Sequence, residues 1–161
     1  MNIFWSYAKL DDKEPHKLTK LRRAFNNSLD QTMGFESKII VDVSDLGWGV
    51  EWKNEIERLV LSSDAIIALV SPSYFNSRMC IHELGIALSA KKRILPIYYR
   101  DCKNGLRSTF KEEGNDENAE LNRISKKIED IQYMDFRKLR NKDLDSEVVQ
   151  DFLDKISSEL A

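Results

Sequence analysis

The sequence predicts an α/β sandwich built on a parallel sheet, and three observations carry that reading. Five short apolar runs recur along the chain, at residues 3–7, 38–43, 65–70, 94–99 and 131–136. They are mostly continuous rather than alternating, as in strands covered on both faces. Between them stand segments whose apolar residues return every three or four positions, which is helical spacing. Alternation of strand and helix through five cycles points to a parallel sheet with crossover helices.

The elements follow in order. After the first run, residues 14–33 carry Leu18, Leu21, Phe25 and Leu29 on one helical face. The second run, KIIVDV, leads through Gly47-Trp48-Gly49 to a helix over 51–61 with Trp52, Ile56, Leu59 and Val60. The third, AIIALV, stops at a Ser-Pro turn and precedes a helix over 79–91. The fourth, ILPIYY, opens a polar, Gly-containing stretch over 101–116, with a short helix expected around 106–112. A helix over 117–129 then presents Leu121, Ile124 and Ile128. The last run, IQYMDF, precedes a helix over 147–160 with Val148, Phe152, Ile156 and Leu160.

Length and composition narrow the class. A chain of 161 residues with 42% hydrophobic and 32% charged side chains fits one soluble domain with a single sizeable core. No repeat and no interdomain linker interrupts it. The last helix runs to Ala161 without a cap signal, which agrees with a piece of a longer multidomain protein. A balance of 25 basic against 27 acidic residues calls for neither nucleic acid nor an anionic membrane. Cys80 and Cys102 are too few for a disulfide framework and fit a reduced, cytoplasmic setting. The N-terminal residues turn polar after six positions and lack a basic segment, so no secretory signal is expected. No apolar run approaches the roughly 20 residues that cross a bilayer.

One residue breaks the pattern. At about 100° per residue, residues 79–91 gather Ile86, Met79, Ala90, Ala87, Cys80, Leu84, Leu88 and Ile81 on one broad arc. Glu83 falls inside that arc, while His82, Gly85 and Ser89 fall outside. A carboxylate aimed at apolar neighbours costs several kcal/mol of hydration unless something compensates. Compensation can be a fixed partner such as Lys91 or Arg93, a shifted pKa, or a cleft that offers the group to a ligand. Glu83 also lies shortly past a strand's carboxyl end, where parallel sheets collect their ligands.

Other chemistries fail on the residues present. His82-Glu83 lacks a second His four positions on, where Ile86 stands, so no zinc-protease motif and no metal cluster forms. Gly47-Trp48-Gly49 is neither a dinucleotide fingerprint nor a Walker loop. It reads either as a turn before a helix or as a mobile flap whose Trp48 covers a planar ligand. A Ser-His-Asp device is unsupported, because His82 projects away from Glu83 and His16 sits in the first helix.

Taken in order, the motifs resemble the Toll/interleukin-1 receptor (TIR) domain family. Ile3-Phe4-Trp5-Ser6-Tyr7 followed by Asp11-Asp12 resembles the family's first signature box. Val41-Asp42-Val43, a Gly-containing loop and an amphipathic helix resemble its second strand, BB loop and second helix. Ala65 to Val70 with Ser71-Pro72-Ser73-Tyr74-Phe75 resembles the third strand and its exit. Cys80-Ile81-His82-Glu83-Leu84 is similar to the Trp-Cys-x-x-Glu-Leu motif, and Arg93 to Tyr98 to the fourth strand. The likeness is firmest over residues 2–100. Three departures stand out: Met79 replaces the motif's Trp, Gly-Trp-Gly replaces a frequent Pro-Gly, and Ala8 occupies a position often held by Arg.

The resemblance implies a flavodoxin-like three-layer sandwich, a five-stranded parallel sheet flanked by helices. Within the family some members only scaffold signalling by self-association. Others, the bacterial type among them, cleave NAD⁺ at the nicotinamide–ribose bond, and their catalytic glutamate maps onto Glu83. The resemblance thus implies an NAD⁺ glycohydrolase or ADP-ribosyl cyclase with NAD⁺ as substrate and no further cofactor or metal. Tyr7, Ala8 and Lys9 would lie near the adenine ribose and phosphates, Asp42 near the cleft, and Trp48 or Trp52 against a base. Cys80 would line the same helix face one turn before Glu83. Implied partners are other TIR domains in a homo-oligomer or filament and a sensor domain, fused or separate. The implied setting is innate immunity of the antiphage kind. Two rival readings stay open: a non-catalytic TIR scaffold, and an N-glycoside processor such as a nucleoside deoxyribosyltransferase.

Overall fold

The computed structural model describes residues 1–13, 15, 17–41, 51–102 and 116–161. A five-stranded parallel sheet has the order β2-β1-β3-β4-β5. Its strands are β1 (Asn2–Ser6), β2 (Lys38–Val41), β3 (Ala65–Val70), β4 (Arg93–Tyr98) and β5 (Met134–Asp135). The helices are α1 (Lys17–Met33), α2 (Trp52–Ser62), α3 (Pro72–Phe75), α4 (Arg78–Ser89), α5 (Asp116–Glu129) and α6 (Glu147–Leu160). This is the flavodoxin-like α/β architecture.

The period of two along each strand divides the core into two layers of side chains. Phe4, Ile66, Ala68 and Val70 face α2, α4 and α5, meeting Ile56, Val60, Leu84, Ala87, Ile124 and Ile128. Ile3, Trp5, Ile67 and Leu69 face α1 and α6, meeting Leu18, Leu21, Phe25, Leu29, Val149, Leu153, Ile156 and Leu160. Every residue of β3 is buried, because both of its faces are covered. Trp5 stacks on Phe25 with ring centroids 5.9 Å apart.

Several boundaries differ from the sequence expectation. The first helix starts at Lys17 rather than at 14, because Asp12 takes over its N-terminus. The Asp12 carboxylate accepts from the Leu18 and Thr19 amides at 2.8 and 3.1 Å, satisfying donors that a helix start leaves open. A 3₁₀ turn over Lys9–Asp12 and the short α3 are elements the periodicity did not reveal. The fifth strand shrinks from 131–136 to Met134–Asp135, while Tyr133 packs against Tyr98 instead of extending the ladder. On α6, Val148 is half exposed and Val149 takes the core position. The buried series is thus Val149, Leu153, Ile156 and Leu160. Val43 and the short helix expected around 106–112 lie outside the described residues.

Candidate functional site

Strand order locates the site. The chain runs from β1 to β2 on one side and then crosses back past β1 to β3 on the other, so the sheet's switch point lies between β1 and β3. At their carboxyl ends the connections diverge and leave a crevice, where open α/β sheets bind ligands. A hollow of about 340 Å³ lies there. Tyr7, Ala8 and Lys9, just after β1, form one wall, and Met79 and Cys80 of α4 form another. Ser73, Asn76 and Ser77 complete it from the segment between β3 and α4.

Local chemistry fixes these walls. Ser71 is fully buried and caps α3, its hydroxyl accepting from the Tyr74 amide at 3.0 Å. The same hydroxyl donates to Asp11, tying the turn after β3 to the turn after β1. Ser77 caps α4 by accepting from the Cys80 amide at 3.3 Å. Met79 stands in the cleft wall where the family motif has Trp, so a flexible thioether replaces an aromatic surface.

Glu83 lies three residues beyond Cys80 on α4, about 4.5 Å further along the helix axis. It is 1% exposed and is not part of the cleft wall itself. Its Oε2 accepts a hydrogen bond from the Ser6 hydroxyl at the end of β1. Ser6 in turn meets the Tyr74 hydroxyl at 2.7 Å. All three side chains are essentially sealed from solvent. Burial, and then the nearby Cys80 and Glu83, hold the Tyr74 phenol well above its ordinary value, so it remains a donor. Glu83 is therefore flanked on two sides by wall residues: Tyr7 follows Ser6, and Cys80 precedes Glu83 by one turn.

The expected site residues divide into three groups. Tyr7, Ala8, Lys9 and Cys80 come together in the cleft, and Glu83 lies one turn behind it. Trp52 does not join them. It opens α2, is 37% exposed, and meets the His82 ring in a T-shaped pair with centroids 5.8 Å apart, with Lys53 over its own ring. Asp42 and Trp48, with Gly47 and Gly49 beside it, lie outside the described residues, as does His16. Arg93, considered as a partner for Glu83, spends its guanidinium on the Glu159 carbonyl. Among the described residues no group of His, Cys, Asp or Glu could hold a metal ion. Neither cysteine is in a disulfide, and no described helix is long and apolar enough to cross a membrane.

Sequence reasoning gave no role to Ser6 or Tyr74. The available signals were a hydroxyl closing an otherwise apolar strand and a tyrosine three residues past a Ser-Pro cap. Neither identifies a partner without the strand order. His82 is a second surprise: its Nε2 is buried and has no hydrogen-bond partner.

Comparison with known proteins agrees with the fold. A family model described as TIR domain matches residues 3–150. The TIR domains in the structure of the activated Roq1 resistosome directly recognizing the pathogen effector XopQ superpose with a TM-score of 0.67 at 19% identity, covering 96% of this chain and 98% of that one. The TIR domain of the Toll-related receptor TRR-2 from Hydra magnipapillata gives a TM-score of 0.52 at 22% identity, covering 98% and 96%. At these identities the likeness is one of fold. No curated protein matches the chain.

Proposed function

This chain belongs to the TIR domain family, and we propose that it is an NAD⁺-cleaving member with Glu83 as its catalytic residue. One observation carries the reading: a sealed carboxylate, held by a neutral hydroxyl, lies one helical turn behind a cleft at the sheet's switch point. Burying that acid costs hydration of order several kcal/mol, a cost that a role in catalysis accounts for.

The chemistry suits the residue. Breaking the bond between ribose C1′ and the nicotinamide nitrogen sends the electron pair to that nitrogen. Nicotinamide then leaves neutral and needs no general acid. Positive charge develops on the sugar, the electronic problem of glycoside hydrolysis. A fixed carboxylate stabilises that charge, more strongly where water is scarce. Water then adds to C1′ and loses a proton, giving ADP-ribose. Attack by an adenine nitrogen of the same molecule gives a cyclic ADP-ribose. In this scheme Tyr7, Ala8 and Lys9, which line the cleft, meet the rest of the dinucleotide, and the Lys9 ammonium serves the phosphates. NAD⁺ is substrate in this scheme, and no cofactor is needed.

Self-association belongs to the reading, since the bacterial-type enzymes that the motifs resemble complete their pocket with a neighbouring copy. Nicotinamide release should then rise more steeply than linearly with protein concentration. Glu83→Ala should abolish release at every concentration. A linear dependence removes the association, and an active Glu83→Ala removes the site.

The scaffold alternative draws on one observation. Glu83 is not part of the cleft wall and is 1% exposed, which also suits an acid that merely stabilises the junction of β1 and α4. On that reading Glu83→Ala changes thermal stability and the wild type releases no nicotinamide.

A further inference from the structure

A glutamate on a helix is not oriented by its backbone. Three side-chain torsions separate the carboxylate from Cα, and the last is broad and roughly twofold. Something must grip one oxygen if the charge is to stand in a single place.

The grip here comes from two hydroxyls in series. Ser6 closes β1, which lies between β2 and β3 in the sheet, and is 0% exposed. It has one hydrogen to give. An ionised carboxylate only accepts, so that hydrogen goes to Glu83 Oε2. The Ser6 oxygen is then left to accept, and the Tyr74 hydroxyl 2.7 Å away is the donor. The direction of the chain is therefore fixed: Tyr74 to Ser6 to Glu83. Its three members come from α3, the end of β1 and α4, each adjoining residues that line the cleft.

We propose that Ser6 and Tyr74 are positioning residues that lock the carboxylate plane of Glu83, so that its charge meets the reacting sugar in one orientation. This rests on the NAD⁺-cleaving reading above. Tyr74 is hydrogen-bonded to Ser6, so its positioning effect on Glu83 runs through the Ser6 hydroxyl. The two contributions must therefore fail to multiply, as expected for groups acting as one unit.

The test is a double-variant cycle on the full chain with NAD⁺ at saturating and limiting concentrations. Ser6→Ala is expected to lower kcat about 10- to 100-fold, by analogy with the loss of groups that orient metal ligands, with KM within about twofold. Tyr74→Phe, which deletes a single oxygen, is expected to lower kcat about 3- to 10-fold. The double variant should match Ser6→Ala within about twofold. A second readout needs no turnover. In protein labelled with ¹³C at the glutamate carboxyl, the Glu83 signal, identified by its loss in Glu83→Gln, should move in Ser6→Ala and in Tyr74→Phe.

Multiplying losses, a rise in KM with kcat unchanged, or an unmoved carboxyl signal would each overturn the proposal. Should Ser6→Ala fail to fold by circular dichroism, Tyr74→Phe still decides through kcat and the carboxyl signal. Should the wild type release no nicotinamide, the NAD⁺ reading falls, and the carboxyl signal alone reports whether the two hydroxyls hold Glu83. Active variants indistinguishable from wild type refute the positioning role and leave the NAD⁺ reading standing.

Discussion

Asp11 and Arg100 face each other across the carboxyl end of the sheet, with Nε 3.5 Å from Oδ1. The Asp11 carboxylate, whose side chain is 4% exposed, also accepts from Ser71. One buried acid thus links the turn after β1, the cap after β3 and the exit of β4, beside the candidate cleft. It fastens the segment after β1 to the segments that leave β3 and β4.

Its titration gives the first test. Burial is the main cause raising the Asp11 carboxyl above its ordinary 3.8, against the Ser71 hydrogen bond and then the Arg100 and Arg140 charges. A raised folded-state value means that the folded chain holds the proton more tightly. The stability this brings is complete below about 3.8 and is lost as pH rises through the higher folded-state value. Asp11→Asn cannot ionise and escapes that loss. Its Tm relative to wild type is therefore expected to climb between about pH 4 and neutrality. A difference that stays flat or shrinks over that window contradicts the assignment.

The core of α6 supplies the second. Val149 is fully buried among the α1 side chains, while Val148 is half exposed. Truncation to Ala should cost about 1–3 kcal/mol at Val149 and stay within about 0.5 kcal/mol at Val148. Urea denaturation separates the two. Equal losses would mean that the helix is rotated from the face described.

What the sequence could and could not disclose follows from the range of each interaction. The β3 run was legible to the residue, because a strand buried on both faces reads as unbroken apolar sequence. The exposed Val148 was misread as core because neighbouring valines one position apart fit a helical stripe almost equally well. The α3 turn was missed since four residues carry no periodicity. Glu83 stood out because a polar residue inside an apolar arc is a local contradiction. Ser6 and Tyr74 were silent for the opposite reason. Their bonds span 77 and 68 positions and exist only once β1 and β3 lie side by side.

Helix α4 offers a third test. A Cβ at Gly85 would lie 3.3 Å from Glu120 Oε1 and 3.5 Å from Ile124 Cδ1. The closer neighbour is the far end of an exposed, flexible side chain that can swing away, and the other is at ordinary contact distance. Gly inside a helix is about 0.8–1.0 kcal/mol less favourable than Ala. Gly85→Ala is therefore expected to stabilise the fold by about 0.5–1 kcal/mol in urea denaturation. A net loss would show that α4 and α5 pack too rigidly to yield.

The most direct measurement incubates concentrated protein with NAD⁺ and separates the products by chromatography, wild type beside Glu83→Gln. The account expects nicotinamide together with ADP-ribose or a cyclic ADP-ribose from the wild type. It expects a fall of about 10²–10³-fold in the variant, the usual cost of losing one preorganised electrostatic group. Nicotinamide released equally by both proteins, or by neither, contradicts the role given to Glu83.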